Sequence, residues 1–171
     1  FHRAVSKGNS ELLDIVEKGF AQISKAEYDE IERRWRGESI LIDEPGSNGR
    51  QAHDLDLTSE EKDWLALHPV ITVALDPDFM PIEYLDAHGK PAGISVEYLN
   101  RFSHLLNVKF EPVHDITWVQ GRKGLREGWI NMASAVHKTP ERVKILSFTA
   151  PYLSMPTAIF AQNDIPYADI H

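Results

Sequence analysis

An arginine in the last third of the sequence is the residue whose type and setting most directly indicate ligand-binding chemistry. Arg142 follows Thr139 and Pro140, a typical helix start with Thr at the N-cap and Pro at the first helical position. A guanidinium can bind a carboxylate through two parallel hydrogen bonds, and the N–H groups of a first helical turn also favour an anion. We therefore expect Arg142 to bind an anionic ligand group; the alternative is an ion pair at the surface.

Three residues that precede this helix are further candidates for ligand contact. Ser134 and Ala135 lie near the carboxyl end of an apolar run, 130–136, that predicts a buried strand. Open α/β sheets bind ligands beyond the carboxyl ends of their strands, so backbone groups of these two residues are candidate contacts. His137 could contact a polar ligand group or sense pH, because the usual pKa of histidine is about 6.5. It could equally be a solvated loop residue, and both interpretations stay open.

The composition excludes several functional classes. The 171 residues carry 18 Lys and Arg against 26 Asp and Glu, and the formal charge of −8 argues against binding nucleic acid. There is no cysteine, which excludes thiolate metal sites and Cys nucleophiles. The other histidines show no metal-ligand spacing, Glu83 and Glu97 form no recognisable acid–base pair, and no phosphate-loop, GxSxG or HExxH signature is present. We expect no metal, no cofactor and no enzymatic activity in this stretch of chain.

The pattern from residue 58 onwards predicts an α/β fold. A capping box, Thr58 to Glu61, begins a helix, and an apolar run at 70–75 follows as a strand. The next predicted elements are a hairpin around the turn 86–89, a helix capped by Ser95, a strand at 108–113, a helix at 117–127, a strand at 130–136, the helix start at Thr139 and a last strand at 158–161. Strands that alternate with helices favour a largely parallel sheet flanked by helices. No apolar run approaches the roughly 20 residues that cross a bilayer.

The amino-terminal residues form a separate predicted unit. A short strand within 1–8 precedes an amphipathic helix that begins at Asn9 or Ser10, and a second helix runs from the capping box at Ser24 to Gly37. Residues 38–57 are polar and turn-rich, which is typical of a linker. One strand and two helices cannot bury their apolar faces alone, so this unit needs another surface.

The motifs together resemble family 3 of the extracellular solute-binding proteins, the periplasmic amino-acid-binding type, and the Venus-flytrap sensor domains of bacterial sensor kinases. The resemblance covers residues 58–171 and rests on the order and spacing of its motifs. They are DPDFMP at 76–81, GKPAGISVEYL at 89–99, TW at 117–118, GWIN at 128–131, and KTPER continuing to FTAPY within 138–152. The resemblance implies one lobe of a type II periplasmic-binding protein.

The resemblance adds three candidate residues to the site. Phe79 and Trp118 match aromatic residues that cover the ligand in this family, and Asp76 matches a carboxylate that can meet an α-amino group. The alternatives are core or rim packing for both rings and a turn-making role for Asp76. Arg142 stands where the family has its carboxylate-binding arginine. Amino-acid binders often have Thr at the position of His137. Because of this difference, the resemblance does not restrict the predicted ligand to amino acids.

The resemblance also implies a domain organisation. Residues 1–37 resemble the closing strand and two helices of a preceding flytrap domain, and 38–57 form the linker. Residues 58–161 would be lobe 1 of a second flytrap, and 162–171 the start of a crossover to a second lobe that lies outside the sequence. We expect residues 1–37 to dock on the sheet of 58–161 in circularly permuted order, or on a neighbouring copy as a swapped homodimer.

These implications lead to a functional hypothesis. The chain is expected to be a periplasmic small-solute sensing fragment of a transmembrane signalling protein such as a sensor histidine kinase, joined to the membrane only through other parts of the parent. Its ligand would be a small polar molecule, an amino acid or another carboxylate, and one lobe alone should bind it weakly. The alternatives are a solute-binding protein of an ABC transporter and the non-catalytic binding arm of a periplasmic enzyme.

Overall fold

The computed structural model of the protein describes residues 1–35 and 55–154. Its helices are α1 (Ser10–Ala21), α2 (Lys25–Trp35), α3 (Ser59–Leu67), α4 (Ile94–Leu106), α5 (Trp118–Glu127) and α6 (Pro140–Val143). Its strands are β1 (His2–Ser6), β2 (Val70–Ala74), β3 (Asp78–Phe79), β4 (Glu83–Leu85), β5 (Pro91–Ala92), β6 (Lys109–Val113), β7 (Met132–Val136) and β8 (Leu146–Phe148). Most of the predicted linker 38–57, the predicted strand at 158–161 and the predicted crossover 162–171 lie outside the described residues. Leu55, within the predicted linker, is already buried in the core.

Among the described residues, five strands form a mixed sheet in the order β6-β2-β7-β1-β8, and β3, β4 and β5 form a small second sheet. β2 pairs in parallel with β6 and β7, whereas β1 pairs antiparallel with β7 and β8. β8 therefore runs in the same direction as β7, and within the described part of the larger sheet only β1 opposes the others. The predicted α/β lobe, a mostly parallel sheet flanked by helices, is confirmed.

The amino-terminal segment completes this sheet in cis. Ala4 of β1 pairs with Ala133 of β7 on one side and with Phe148 of β8 on the other. Above the sheet, α1 packs on α3 and α4, and the Lys18 ammonium lies 2.7 Å from the Glu61 carboxylate. This is one of the two predicted docking arrangements; docking on a neighbouring copy stays a prediction. β8 was not predicted, because three residues carry no pattern and their pairing depends on a strand from the other end of the chain.

Short-range hydrogen bonds explain where several helices begin and end. Thr58 accepts a hydrogen bond from the backbone N–H of Glu61, whose carboxylate accepts one from the N–H of Thr58. Thr117 and Gln120 form the same reciprocal pair at the start of α5. Gly128 ends that helix with φ of 82°, a left-handed conformation that favours glycine. These helix ends are therefore determined by contacts between residues at most four positions apart, which is why the sequence indicates them.

The predicted cap of α4 is wrong. The N-cap is Gly93, with φ of +119°, and Ser95 lies inside the first turn. A Cβ atom at Gly93 would overlap the backbone carbonyl of Ile82, so the chain can pass β4 this closely only at a glycine. Ser95 is buried, and its hydroxyl oxygen lies 2.5 Å from the hydroxyl oxygen of Tyr152. Ser95 thus joins a buried polar contact instead of capping the helix.

Helices cover both faces of the larger sheet, and a charged residue lies in the core on one side. α1 and α4 pack on one face, with α2 on α4, while α5 packs on the other face. Arg3 of β1 is fully buried against the first group of helices. Four rings form an aromatic cage around its guanidinium carbon, with centroid distances of 4.0 Å to Tyr152, 4.2 Å to Phe20, 4.6 Å to Phe102 and 5.5 Å to Tyr98. No hydrogen-bond acceptor in residues 1–35 or 55–154 reaches its three guanidinium nitrogens, and burial lowers the pKa of Arg3 to about 10.

Candidate functional site

Most of the predicted site residues meet around one cavity. It lies at the carboxyl ends of β2 and β7, where the sheet topology brings the loops after two parallel strands together. The cavity has a volume of about 220 Å³ and is partly open to solvent. Its lining contains the predicted residues Asp76, Phe79, Trp118, Ala135, His137 and Arg142, together with Phe1 and Glu83, which were not predicted.

Arg142 lies beside Trp118 in this lining. Its guanidinium carbon is 5.3 Å from the indole ring centroid, and its Nη1 donates a 2.9 Å hydrogen bond to the carbonyl of His137. The predicted cap is present, because Thr139 Oγ1 accepts from the N–H of Arg142 at 3.3 Å. However, α6 has only four residues, so few aligned peptide dipoles stand behind its first turn. The contribution of this helix to anion binding is therefore expected to be small.

Aromatic rings form apolar walls of the cavity. The rings of Phe79 and Phe1 meet edge to face with centroids 5.4 Å apart, and the Phe1 ring lies 4.1 Å from the imidazole of His137. Phe1 reaches the cavity because β1 pairs with β7 in a register that sets His2 opposite Val136. The predicted strand at 1–8 was the available signal, but it does not reveal the register and so does not identify Phe1.

Ser134 lies behind the lining instead of within it. Its side chain is fully buried, and its hydroxyl is hydrogen-bonded to the Glu83 carboxyl group and lies 3.3 Å from the carbonyl oxygen of Ala74. The Ser134 carbonyl, one of the backbone groups named as candidate contacts, accepts a 3.0 Å hydrogen bond from the hydroxyl of Tyr152. The neighbouring Ala135 is the residue of this pair that lines the cavity.

Glu83 is the titratable group that the sequence analysis missed. Its side chain is almost fully buried in β4, and its Oε1 accepts a 3.0 Å hydrogen bond from the backbone N–H of Asp76. Burial raises the pKa of Glu83 to about 7, although hydrogen bonds from Ser134 and Asp76 act in the opposite direction. Glu97, considered as its partner, binds the side chain of Arg34 at 2.9 Å instead. The available signal was an acidic residue inside an otherwise apolar strand.

Asp76 and His137 supply polar groups at the exposed part of the cavity. Asp76 Oδ1 accepts from the backbone N–H of Asp78 at 3.1 Å, so the residue shapes the turn and lines the cavity at once. Desolvation and the nearby positive charges, Arg142 among them, lower the pKa of His137. This shift favours the neutral imidazole, which can donate or accept a hydrogen bond.

The described residues contain neither a candidate metal cluster nor a candidate membrane-spanning helix. Within residues 1–35 and 55–154, no cluster of three His, Asp or Glu side chains is arranged to hold a metal ion. In the same ranges, no helix combines the length and the apolar character needed to cross a bilayer.

The part of the chain that builds the cavity matches a known family. The profile of the bacterial extracellular solute-binding proteins, family 3, matches residues 71–167, more than half of the chain. The chain belongs to this family. All lining residues except Phe1 lie inside the matched region. The resemblance drawn from the motifs is thereby confirmed.

Curated relatives extend the match to the amino-terminal segment. The virulence sensor protein BvgS of Bordetella pertussis is 29% identical over 161 residues, which is 94% of this chain and 12% of BvgS. The amino-acid-binding protein AabA of Dichelobacter nodosus is 27% identical over 90 residues, 52% of this chain and 36% of AabA. The chain thus spans only a small part of the length of the BvgS relatives.

Two crystal structures of BvgS share the fold. The Bordetella pertussis BvgS periplasmic domain is 30% identical, with a TM-score of 0.54 over 56% of this chain and 19% of that chain. A double mutant of the BvgS VFT2 domain is 30% identical, with a TM-score of 0.52 over 56% of this chain and 40% of that chain. Together with the family match, these structures establish a Venus-flytrap sensing or solute-binding domain.

Proposed function

We propose that this chain is the small-solute sensing part of a periplasmic Venus-flytrap domain in a transmembrane signalling protein such as a sensor histidine kinase. BvgS, a sensor protein by name, matches 94% of the chain, including residues before 71, where the family profile has no match. AabA matches only 90 residues. Similarity to a sensor protein across both the amino-terminal segment and the lobe favours sensing over transport. The structure of the periplasmic domain of BvgS favours the same compartment here.

The ligand that we propose is a small polar molecule with a carboxylate, such as an amino acid. The observation that carries this proposal is the convergence of Arg142, Asp76 and the rings of Phe79 and Trp118 on one cavity. A guanidinium can bind a carboxylate through paired hydrogen bonds, a carboxylate can bind an ammonium group, and the rings can cover apolar carbon atoms. AabA, by its name, binds amino acids.

Recognition without bond cleavage is the activity that we propose for this cavity. Contacts from a second lobe would complete the binding site, and the closed arrangement would be favoured by the ligand's extra contacts in it. Because this chain contacts the ligand from one side, its affinity alone should be weak, with a dissociation constant of about 1 mM and a binding free energy of about −4 kcal/mol.

An NMR titration of the 171-residue chain with a panel of amino acids tests the proposed site. We expect saturable shifts of backbone amides near Asp76, Ala135 and Arg142. Arg142→Gln should weaken binding of carboxylate ligands about tenfold or more, since a charge-assisted hydrogen bond contributes about 1.5–3 kcal/mol. Arg122→Gln, which changes an exposed arginine of α5, is the matched control and should leave the affinity unchanged.

Three results of the titration would contradict the proposed binding site. Shifts that avoid the cavity for every amino acid would exclude the site, and equal affinities of the wild type and Arg142→Gln would exclude the role of the guanidinium. Submicromolar affinity would contradict binding from one side. For the sensing role, Arg142→Gln in the full-length protein should remove ligand-dependent signalling, and an unchanged response would refute it.

A further inference from the structure

A buried carboxyl group at the cavity has no cationic partner within the described protein. Glu83 is 2% exposed yet lines the cavity. Across residues 1–35 and 55–154, no Lys, Arg or His nitrogen lies within 4.0 Å of its carboxyl oxygens. The two groups that bind it, the Ser134 hydroxyl and the Asp76 N–H, are uncharged. A buried carboxylate without a counter-charge is unfavourable, so a cation supplied from the cavity would stabilise it.

We propose that Glu83 is a specificity-determining residue that favours ligands with a second cationic group, an ammonium or a guanidinium. This inference rests on the proposed ligand site. There, Arg142 can bind the carboxylate of a zwitterionic ligand, and Asp76 can bind its ammonium group. Glu83 is then a further acidic group in the same lining, and a second cationic group on the ligand could form an ion pair with it. The ligand class that fits is a dibasic amino acid or a similar molecule with net positive charge.

The hydrogen bonds around Glu83 suit both of its protonation states. When the carboxyl is protonated, its O–H can donate to Ser134 Oγ, whose own hydroxyl can donate to the carbonyl of Ala74, 3.3 Å away. When the carboxyl is ionised, the Ser134 hydroxyl can donate to Glu83 instead. In both states the Asp76 N–H donates to Oε1 at 3.0 Å. Ionisation therefore leaves the Glu83 carboxyl with both of its hydrogen-bond partners, and its cost arises from burial.

The groups around Glu83 make its charge sensitive to a ligand. The charged and titratable residues near it are Arg3 of β1, Asp76 after β2, Tyr152 after β8, and His137 and Arg142 in the same cavity lining. Burial raises the pKa of Glu83 to about 7; the charge of Asp76 adds to the rise and that of Arg3 opposes it. A ligand cation beside Glu83 would favour the ionised form, so binding such a ligand should release a proton near neutral pH.

The matched probes L-arginine and L-citrulline test this proposal, because they have similar shapes and differ in side-chain charge. NMR titrations of the 171-residue chain should show that arginine binds about tenfold more tightly than citrulline at pH 8. At pH 6 the preference should fall to about two- to threefold, because most Glu83 is then protonated in the empty cavity. No variant is needed for this comparison.

The variant Glu83→Gln then tests whether Glu83 causes the preference for arginine. Its amide oxygen can accept from the Asp76 N–H and its amide nitrogen can donate to Ser134, so the hydrogen bonds of the neutral acid are kept. The variant should bind arginine and citrulline equally at pH 6 and pH 8. Glu127→Gln, an exposed position at the end of α5, is the matched control. It should keep the full preference for arginine.

The outcomes separate this proposal from the proposed function. Equal binding of arginine and citrulline by the wild type, or a preference that survives in Glu83→Gln, overturns the role of Glu83 and leaves the amino-acid site intact. Failure of every amino acid in the panel to shift the cavity residues overturns the proposed ligand site, and the role of Glu83 with it.

Discussion

Replacing Arg3 by methionine is expected to stabilise the protein, although it removes the residue at the centre of the aromatic cage. Arg3 is fully buried, and in the described ranges its guanidinium meets ring faces and no hydrogen-bond acceptor. Methionine is uncharged, is flexible enough to fill the same space, and makes favourable sulfur–aromatic contacts. The substitution therefore removes a desolvated charge while it keeps much of the packing.

The magnitude follows from two opposing contributions. Burial lowers the pKa of Arg3 from its usual value to about 10, and at about 1.4 kcal/mol per pKa unit the charged form costs the folded state about 3 kcal/mol. Cation–π contacts with desolvated rings, here Tyr152 at 4.0 Å and Phe20 at 4.2 Å, offset about 2 kcal/mol of this cost. The expected gain for Arg3→Met is the difference, about 1 kcal/mol, or a rise in melting temperature of about 2–4 °C.

Urea denaturation followed by circular dichroism at pH 7 measures this change. Arg33→Met, at an exposed position of α2, is the control and should change the free energy of unfolding by less than about 0.5 kcal/mol. Arg3→Ala should instead lose about 3 kcal/mol, because it leaves the cage unfilled. If Arg3→Met folds but loses more than about 1 kcal/mol, the ring faces outweigh the desolvation of the charge and the reasoning is refuted.

Three further substitutions test other contacts. Glu83→Gln should raise the free energy of unfolding by up to about 3 kcal/mol at pH 8 and leave it unchanged at pH 4. The pKa of Glu83 is about 7 in the folded protein and 4.5 in the unfolded chain, so ionisation destabilises the folded wild type only at the higher pH. Gly93→Ala should cost about 3 kcal/mol or more, since φ is +119° and the added Cβ would overlap the Ile82 carbonyl. Lys18→Met should lower the free energy of unfolding by about 1 kcal/mol at pH 7, because it removes the ion pair with Glu61. Hydrogen bonds from Lys18 and Thr58 lower the pKa of Glu61 in spite of its burial. The loss should be smaller at pH 3, where more of Glu61 is protonated and the ion pair is weaker. Urea denaturation at the stated pH values measures all three.

For each of these three substitutions, a control variant or a contradicting result tests the stated physical cause. Glu127→Gln should show no gain at pH 8, and a Glu83→Gln variant that also shows none would mean that the buried carboxyl ionises without cost. Gly89→Ala, with φ of +70° and open space around it, should cost about 1 kcal/mol. If Gly93→Ala costs no more than Gly89→Ala, the close approach of Gly93 to the Ile82 carbonyl is not what requires glycine there. A loss from Lys18→Met that is equal at pH 3 and pH 7 would show that packing, not the ion pair, is responsible.

The sequence predicts those features of the fold that depend on neighbours along the chain. The helix starts at Thr58, Thr117 and Thr139 are set by hydrogen bonds within three residues, and all three were predicted. The meeting of Asp76 and His137 at the ends of β2 and β7 was also predictable, because parallel strands end at the same edge of a sheet.

Features that depend on register or burial could not be predicted in this way. Phe1 reaches the cavity, and β8 exists as a strand, through the specific alignment of β1 between β7 and β8. The raised pKa of Glu83 depends on how deeply β4 is covered, which becomes known only when the chain is packed. Ser95 shows the converse case, because a residue typical of helix caps is used for a buried hydrogen bond to Tyr152.

The place of β1 in the interior of the sheet matters for anyone who chooses cloning limits for this protein. Limits drawn at residues 71–167 would keep most of the cavity lining but delete the strand between β7 and β8. The truncated product would also lose α1, α2 and α3. It would expose the hydrogen-bonding edge of β7, leave β8 detached, and remove both Arg3 and the Phe20 ring from the aromatic cage. Such an open edge is a template for pairing between molecules, so the shortened protein should aggregate on expression whereas the chain that retains His2–Ser6 should not.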